Sequence, residues 1–388
     1  MKSILLLFTS ILFTIMISEF IVRNIDLEIK TNTHNKHKED KSTDHFSSEI
    51  KTMFSKVPSP IIEDFVDFKT DINPGYCCQE YRLAQYPLAN VSSRVKKFDP
   101  TNQNILYDVT YNFNEYGRRI TPTDNSTKRS KNLLFLGGSY TFGEGVEDNE
   151  TFPYYFSKLA KNINPFNIAF HGYGINDIYY NLKLKKKGMF ANINTTKETY
   201  AIYYFMSHHI KRTIFPLTSF VEIENLKGKN PRWPKLKEWY EAKPYYKISE
   251  KELVLKGRFK ERININYIYT KLAKLKLISK TGIDDYIERK IHFPVFLKFI
   301  NHMHKELIKT KNLKKLFIII HPKHTHLFKK FKKDLDSNIR IIKIDQSYSS
   351  IKKILNQNHE YVDDHHPTKY FNKFLAHEVY LKIQNDLK

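Results

Sequence analysis

The chain has 388 residues, 41% of them hydrophobic, which suffices for one large domain with a substantial core and appended pieces. Its formal net charge is +23, which reads as a solvated lysine-rich surface, with attraction to anionic polymers or acidic lipid head groups as the functional alternative. No zinc-finger spacing, aromatic-glycine RNA signature or basic heptad helix accompanies that charge, so nucleic acid is not an expected partner.

Lys2 is followed by an apolar run from Ile4 to Ile17, broken by Ser18 and Glu19 before Phe20, Ile21 and Val22. This suits a membrane anchor or signal segment over 1–22. No small-x-small cleavage site follows, so the expectation is an uncleaved anchor that attaches the protein to a membrane. Lys2 argues for a cytoplasmic N-terminus, whereas Arg23 and the lysines beyond Leu27 argue for the opposite orientation. Residues 23–70 read as a flexible tether, because Thr31 to Lys56 is too polar to offset chain entropy by burial. Residues 71–130 read as a β-rich lead-in: Tyr107 to Phe113 alternates as YDVTYNF, and Asn114 to Gly117 supplies a turn. Cys77 and Cys78 are the only cysteines and are adjacent, a spacing that suits neither a relaxed disulfide nor a metal site.

The main domain is expected over 131–388. Asn132 to Gly145, NLLFLGGSYTFGEG, is an apolar run that stops at two glycines and a serine. The run reads as a strand buried on both faces, and the glycines allow a tight turn that sets Ser139 at the strand's carboxyl end. Open α/β sheets bind ligands at that end, which makes Ser139 either a nucleophile or a simple cap of the next segment. Further strands are predicted at Phe166 to Phe170, Tyr200 to Met206, Leu316 to Ile320 and Ile339 to Ile344, with helical patterns between them. That alternation predicts an α/β fold with a mainly parallel sheet and helices on both faces. Residues 211–289 exceed what such a sheet needs and read as a helical insertion containing Trp233 and Trp239, either a lid with flat aromatic faces for sugar rings or an ordinary packed subdomain. His321, His324 and His326 in HPKHTH lack a partnered carboxylate or cysteine at a recognisable spacing, so no metal is expected. Thr368 to Leu387 carries Phe371, Phe374, Leu375 and Val379 at helical spacing and reads as a closing helix.

Just before that helix stands Tyr361-Val-Asp-Asp-His-His-Pro-Thr, in which Asp363 and His366 are spaced D-x-x-H. A hydroxyl becomes a nucleophile at neutral pH when a base takes its proton and a carboxylate orients that base. With GGSYTFGEGVEDNETFP and the Asn167 to Gly172 stretch, these blocks resemble the SGNH/GDSL hydrolase superfamily, in particular its membrane-tethered bacterial members. The resemblance implies a three-layer, flavodoxin-like sheet and a catalytic triad of Ser139, His366 and Asp363. It also implies an oxyanion hole that includes Gly172, and no cofactor. Two positions depart from the pattern. Gly138 stands where the family has the aspartate of G-D-S, and Ser207-His208-His209 stands where it has G-x-N-D, so His208 falls at the place of the oxyanion-hole asparagine. The expected activity is hydrolysis of an acyl ester, an O-acetyl ester of a carbohydrate or envelope polysaccharide, outside the cytoplasm in the periplasm or at the cell surface. An O-acyltransferase using the same triad and an inactive binding module of this fold are the alternatives.

Overall fold

The computed structural model describes residues 84–98, 105–124, 128–185, 187–228, 233–248, 252–272, 291–320, 334–344 and 366–388, with 65–67, 77–81, 274 and 324 besides. The anchor over 1–22, nearly all of the tether, Asp363, His321 and His326 lie outside the described residues. Among the described residues no helix is long and apolar enough to cross a membrane.

The lead-in forms strands β1 (Phe65–Asp67), β2 (Cys77–Tyr81), β3 (Ala84–Pro87), β4 (Ser92–Phe98) and β5 (Ile105–Asn112). β1, β4 and β5 make one antiparallel sheet in that order, and β2 pairs with β3. The alternation in β5 is realised as a buried face of Tyr107, Val109 and Tyr111, the period-two pattern of a strand with one wet side. After the turn at Gly117, Arg119 forms antiparallel bridges with Phe113 and with Asn167. The second bridge fastens the lead-in to an edge strand of the main sheet.

The remaining strands are β6 (Lys131–Gly137), β7 (Ile163–Ala169), β8 (Thr199–Phe205), β9 (Pro244–Ile248), β10 (Leu253–Arg258), β11 (Leu313–Ile320) and β12 (Ile339–Lys343). Five of them form a wholly parallel sheet in the order β12-β11-β8-β6-β7. Counted along the chain, that is the order 2-1-3-4-5 of a doubly wound sheet, whose winding reverses between β6 and β8. All seven residues of β8 are buried, as a central strand covered on both faces requires.

Among the described residues the helices are α1 (Ser139–Phe142), α2 (Phe152–Leu159), α3 (Ile175–Lys183), α4 (His208–Ile214), α5 (Leu217–Asn225), α6 (Trp233–Glu241), α7 (Ile263–Leu272), α8 (Phe293–Lys311) and α9 (Lys369–Ile383). Alternate strand residues divide the core into two layers. Leu134, Leu136, Tyr203, Phe205, Ile318 and Ile320 pack with α3 and α8. Leu133, Phe135, Ile202, Tyr204, Phe317 and Ile319 pack with α2 and α9. The closing helix starts where Thr368 accepts the Phe371 N–H at 3.4 Å, and it buries Phe371, Leu375, Val379 and Ile383 as one stripe. Removing one such side chain to alanine costs about 2–5 kcal/mol.

The stretch 211–289 is not purely helical. It contains α5, α6 and α7 but also the antiparallel hairpin β9–β10, and Phe215, Phe220, Ile223, Tyr240 and Phe259 form a small aromatic core of its own. Pro244 and Tyr246 alternate inward along β9, a period-two signal too short to stand out beside the flanking helical patterns.

Candidate active site

β6 delivers its last residue, Gly137, to the point where the sheet winding reverses, and α1 begins at Ser139. The four-residue helix closes at Gly143, whose φ of 88° is a left-handed conformation that glycine takes without strain. Asn167 on β7 donates from its amide nitrogen to Phe142 O at 3.3 Å, which ties the α1 turn to the neighbouring strand. Ser139 is buried, 5% exposed.

The structure brings Ser139 and His366 together: Ser139 Oγ lies 2.9 Å from His366 Nε2, although 227 positions separate them in the chain. His366 directly precedes Pro367 and the Thr368 cap of α9, and its ring lies 5.5 Å from that of Tyr140. A hydroxyl at this distance from an imidazole can pass its proton to the ring.

Sequence reasoning missed Glu144. Its Oε2 is 3.3 Å from His366 Nε2 and 2.5 Å from His171 Nδ1, and the Tyr107 hydroxyl donates to its Oε1 at 3.5 Å. Burial is the largest influence and pushes this carboxyl's pKa up, but the charges of His366 and His171, the hydrogen bond from His171 and the charge of Lys97 together hold it well below the usual carboxylate range. An ionised carboxylate only accepts, so His171 Nδ1 carries the proton between them. The loop that presents Glu144 is held by the fully buried Arg119, which donates to Asp148 Oδ1 at 2.7 Å, Phe142 O at 3.1 Å, Gly143 O at 2.5 Å and Val146 O at 2.6 Å. Its only trace in the sequence is a charge between two glycines, Gly143 and Gly145, which does not by itself place it in a site.

Gly172 lies in the turn after β7, next to His171, and therefore borders the same cluster. Its φ is 61°, and the insertion packs directly on it: a Cβ there would fall 1.9 Å from Trp239 Cη2. Lys243, between α6 and β9, donates to Gly172 O at 2.9 Å and to Asp177 Oδ2 at 2.6 Å, with its ammonium 4.2 Å from the Trp239 ring centroid. Burial lowers the Lys243 pKa, while the charge and hydrogen bond of Asp177 act against it. Trp239 and Lys243 thus clamp the Gly172 turn from outside the sheet.

The two departures at residues 138 and 207–209 meet in space. His209 Nδ1 accepts from Met206 N at 3.4 Å and stands 2.9 Å from the Tyr203 hydroxyl. The Met206 amide can only donate, so the ring proton sits on Nε2, and Nε2 is 2.9 Å from where a Cβ of Gly138 would lie. Arg212 Nη1 is 3.2 Å from the same point. His209 and Arg212 therefore fill the room that a side chain at residue 138 would need. His208 opens α4 at the carboxyl end of β8, with its ring 4.8 Å from that of His209. Its Nε2 is shielded from solvent and has no hydrogen-bond partner among the described residues. Burial, then the charges of Arg212, His209, His324 and His366, hold the His208 pKa well below that of free imidazole, and burial with Arg212 does the same for His209. Both rings are neutral near pH 7. Among the described residues no group of three or more His, Cys, Asp or Glu could hold a metal ion.

No family model and no curated protein matches the chain. Among solved structures, it is similar to a Corynascus thermopiles (Myceliophthora fergusii) carbohydrate esterase family 2 enzyme plus carbohydrate binding domain, at 9% identity over 70% of each chain with a TM-score of 0.37. It is similar to a member of the lipolytic protein G-D-S-L family from Veillonella parvula, at 11% identity over 65% of this chain and 97% of that one with a TM-score of 0.33. It is also similar to an acetyl xylan esterase from the rumen bacterium Butyrivibrio proteoclasticus, at 12% identity over 68% and 66% with a TM-score of 0.34. At these values the likeness assigns no activity to this chain, and the chemistry rests on the geometry of Ser139, His366 and Glu144.

Proposed function

We propose that the protein is a serine ester hydrolase of the SGNH type, acting on an acyl ester, an O-acetyl group of a carbohydrate or envelope component. The observation that carries the proposal is the 2.9 Å approach of Ser139 Oγ to His366 Nε2 at the carboxyl end of β6, where the sheet reverses its winding. In the reaction, His366 Nε2 takes the Ser139 proton as Oγ bonds to the acyl carbon. The backbone N–H groups of Ser139 and Gly172, with the neutral His208 ring as a third donor, receive the negative oxygen. Each such donor is worth about 2.7–4 kcal/mol of barrier. His366 then protonates the departing alcohol, and a water deprotonated by His366 releases the acid and restores Ser139. Asp363 has the role of orienting the imidazole. The substrate class and the placement outside the cytoplasm, tethered through 1–22, come from the motif resemblance and the N-terminal composition.

A serine-directed fluorophosphonate tests the reading. Ser139 is labelled in the intact protein, the label disappears in Ser139→Ala, and labelling slows at least about a hundredfold in His366→Ala. A folded wild-type protein that takes no label and releases no acetate from an acetylated sugar refutes it. Acetyl appearing on an added sugar rather than as acetate identifies a transferase.

A further inference from the structure

The site contains a carboxylate on the side of the base where a Ser-His-Asp relay has none. In such a relay the carboxylate faces one ring nitrogen and the nucleophile the other. Here Glu144 Oε2 is 3.3 Å from Nε2, the same nitrogen that lies 2.9 Å from Ser139 Oγ. Glu144 is also fixed from behind: His171 Nδ1 donates to the same oxygen, Tyr107 reaches the other, and Arg119 pins the carbonyls of Phe142, Gly143 and Val146 on either side of it.

We infer that Glu144 is a positioning residue that holds the protonated form of His366 from the side facing Ser139, so that the Glu144–His171 pair sets the pH at which the base becomes available. This rests on the proposed role of His366. Once Nε2 carries a proton, that proton has two acceptors, Ser139 Oγ and the Glu144 carboxylate, and the ionised one attracts it more strongly. During the reaction the arrangement stabilises the imidazolium that forms when Ser139 gives up its proton. At rest it favours the same imidazolium and thereby withholds the base until the pH is higher. The reciprocal effect belongs to Glu144: burial pushes its carboxyl up, and the charges of His366 and His171 outweigh that and favour the ionised form. The groups facing this pair are His171, Lys97 and Tyr107 around Glu144, and Ser139, Tyr140 and His208 around His366.

The test follows His366 by NMR titration of its ring protons and, in parallel, the pH dependence of Ser139 labelling by a fluorophosphonate, in the full chain. Glu144→Gln keeps the shape and removes the charge. It moves the His366 midpoint and the acid limb of labelling down together by about one pH unit or more, as expected for loss of an opposite charge at this range. Glu144→Asp, which keeps the charge, moves both less. His171→Ala leaves the carboxylate to His366 alone and moves both up. Unchanged midpoints in Glu144→Gln, or in His171→Ala should the glutamine variant not fold, overturn the inference. If the NMR midpoints move as described while no variant and no wild-type protein is labelled at any pH, Glu144 still holds the protonated imidazole, but the hydrolase reading falls and with it the control of a base.

Discussion

The imidazole of His209 fills the space beside Gly138 that a side chain there would need: its Nε2 is 2.9 Å from the position of a Cβ. Residues 138 and 209 therefore share one space, and a side chain can occupy it from only one of the two positions. Gly138→Asp is expected to destabilise the fold by about 1–3 kcal/mol, the usual range for forcing extra atoms into a packed site. In Gly138→Asp/His209→Ala the carboxylate gains room and Arg212 as a partner. Chemical denaturation of the four proteins of this cycle should show a favourable coupling of at least about 1 kcal/mol, and a coupling near zero would separate the two positions.

Trp239 makes Gly172 irreplaceable by the same kind of contact. Gly172→Ala has to accommodate a methyl 1.9 Å from Trp239 Cη2 at a φ of 61°, so both packing and backbone oppose it. Loss of stability and of fluorophosphonate labelling is expected. Trp239→Ala in the Gly172→Ala background should restore part of each by opening the space. Restoration of stability without labelling would indicate that the left-handed backbone at residue 172, rather than the indole, governs the site.

Arg119 joins the lead-in to the site. Its guanidinium satisfies Asp148 and three carbonyls of the loop from Phe142 to Val146 while fully buried. Arg119→Met leaves that carboxylate without its cation and should cost about 3–5 kcal/mol. Because the same loop carries Glu144, the His366 titration should lose the influence of Glu144 in parallel. A stable variant with an unaltered titration would show that the loop holds itself.

Several histidines make stability sensitive to acid. Burial lowers His208, His209, His304 and His292, the last to about 4. The unfolded chain takes up these protons near the ordinary value of about 6.5 while the folded state remains neutral, so their contribution is complete above that pH and is lost progressively below it. His209, which is 1% exposed, alone adds a slope of up to about 1.4 kcal/mol per pH unit in this window. Thermal melts from pH 8 to 4 should show Tm holding above about pH 6.5 and falling below it. A Tm constant to pH 5 would mean that these rings are protonated in the native state.

What could be read in advance followed the physics of each element. β6 and β8 were legible because burial on both faces writes an uninterrupted apolar run, and α9 because its stripe repeats at helical spacing. Their ends moved by one to three residues, as at β11, which starts at Leu313 rather than Leu316. The approach of Ser139 to His366 was legible because a hydroxyl after two glycines marks a strand exit and a D-x-x-H-P block stands just before the closing helix. Glu144 was not, since its burial is created by Tyr107, Arg119 and His171 from three other segments. Nor could two adjacent histidines be told apart: the start of α4 turns them about 100° from one another, and it is His209 that faces Gly138.

The pairing of residue 139 with residue 366 also has a consequence in time. The ribosome adds roughly 5–20 residues per second, so the hydroxyl is synthesised about 10–45 s before its partner nitrogen exists. Throughout that interval the growing polypeptide can wind its first strands yet lacks the ring that ends beside the serine. On the proposed reading, a product that terminates before residue 366 carries the hydroxyl without the imidazole 2.9 Å from it in the finished fold, and takes no fluorophosphonate.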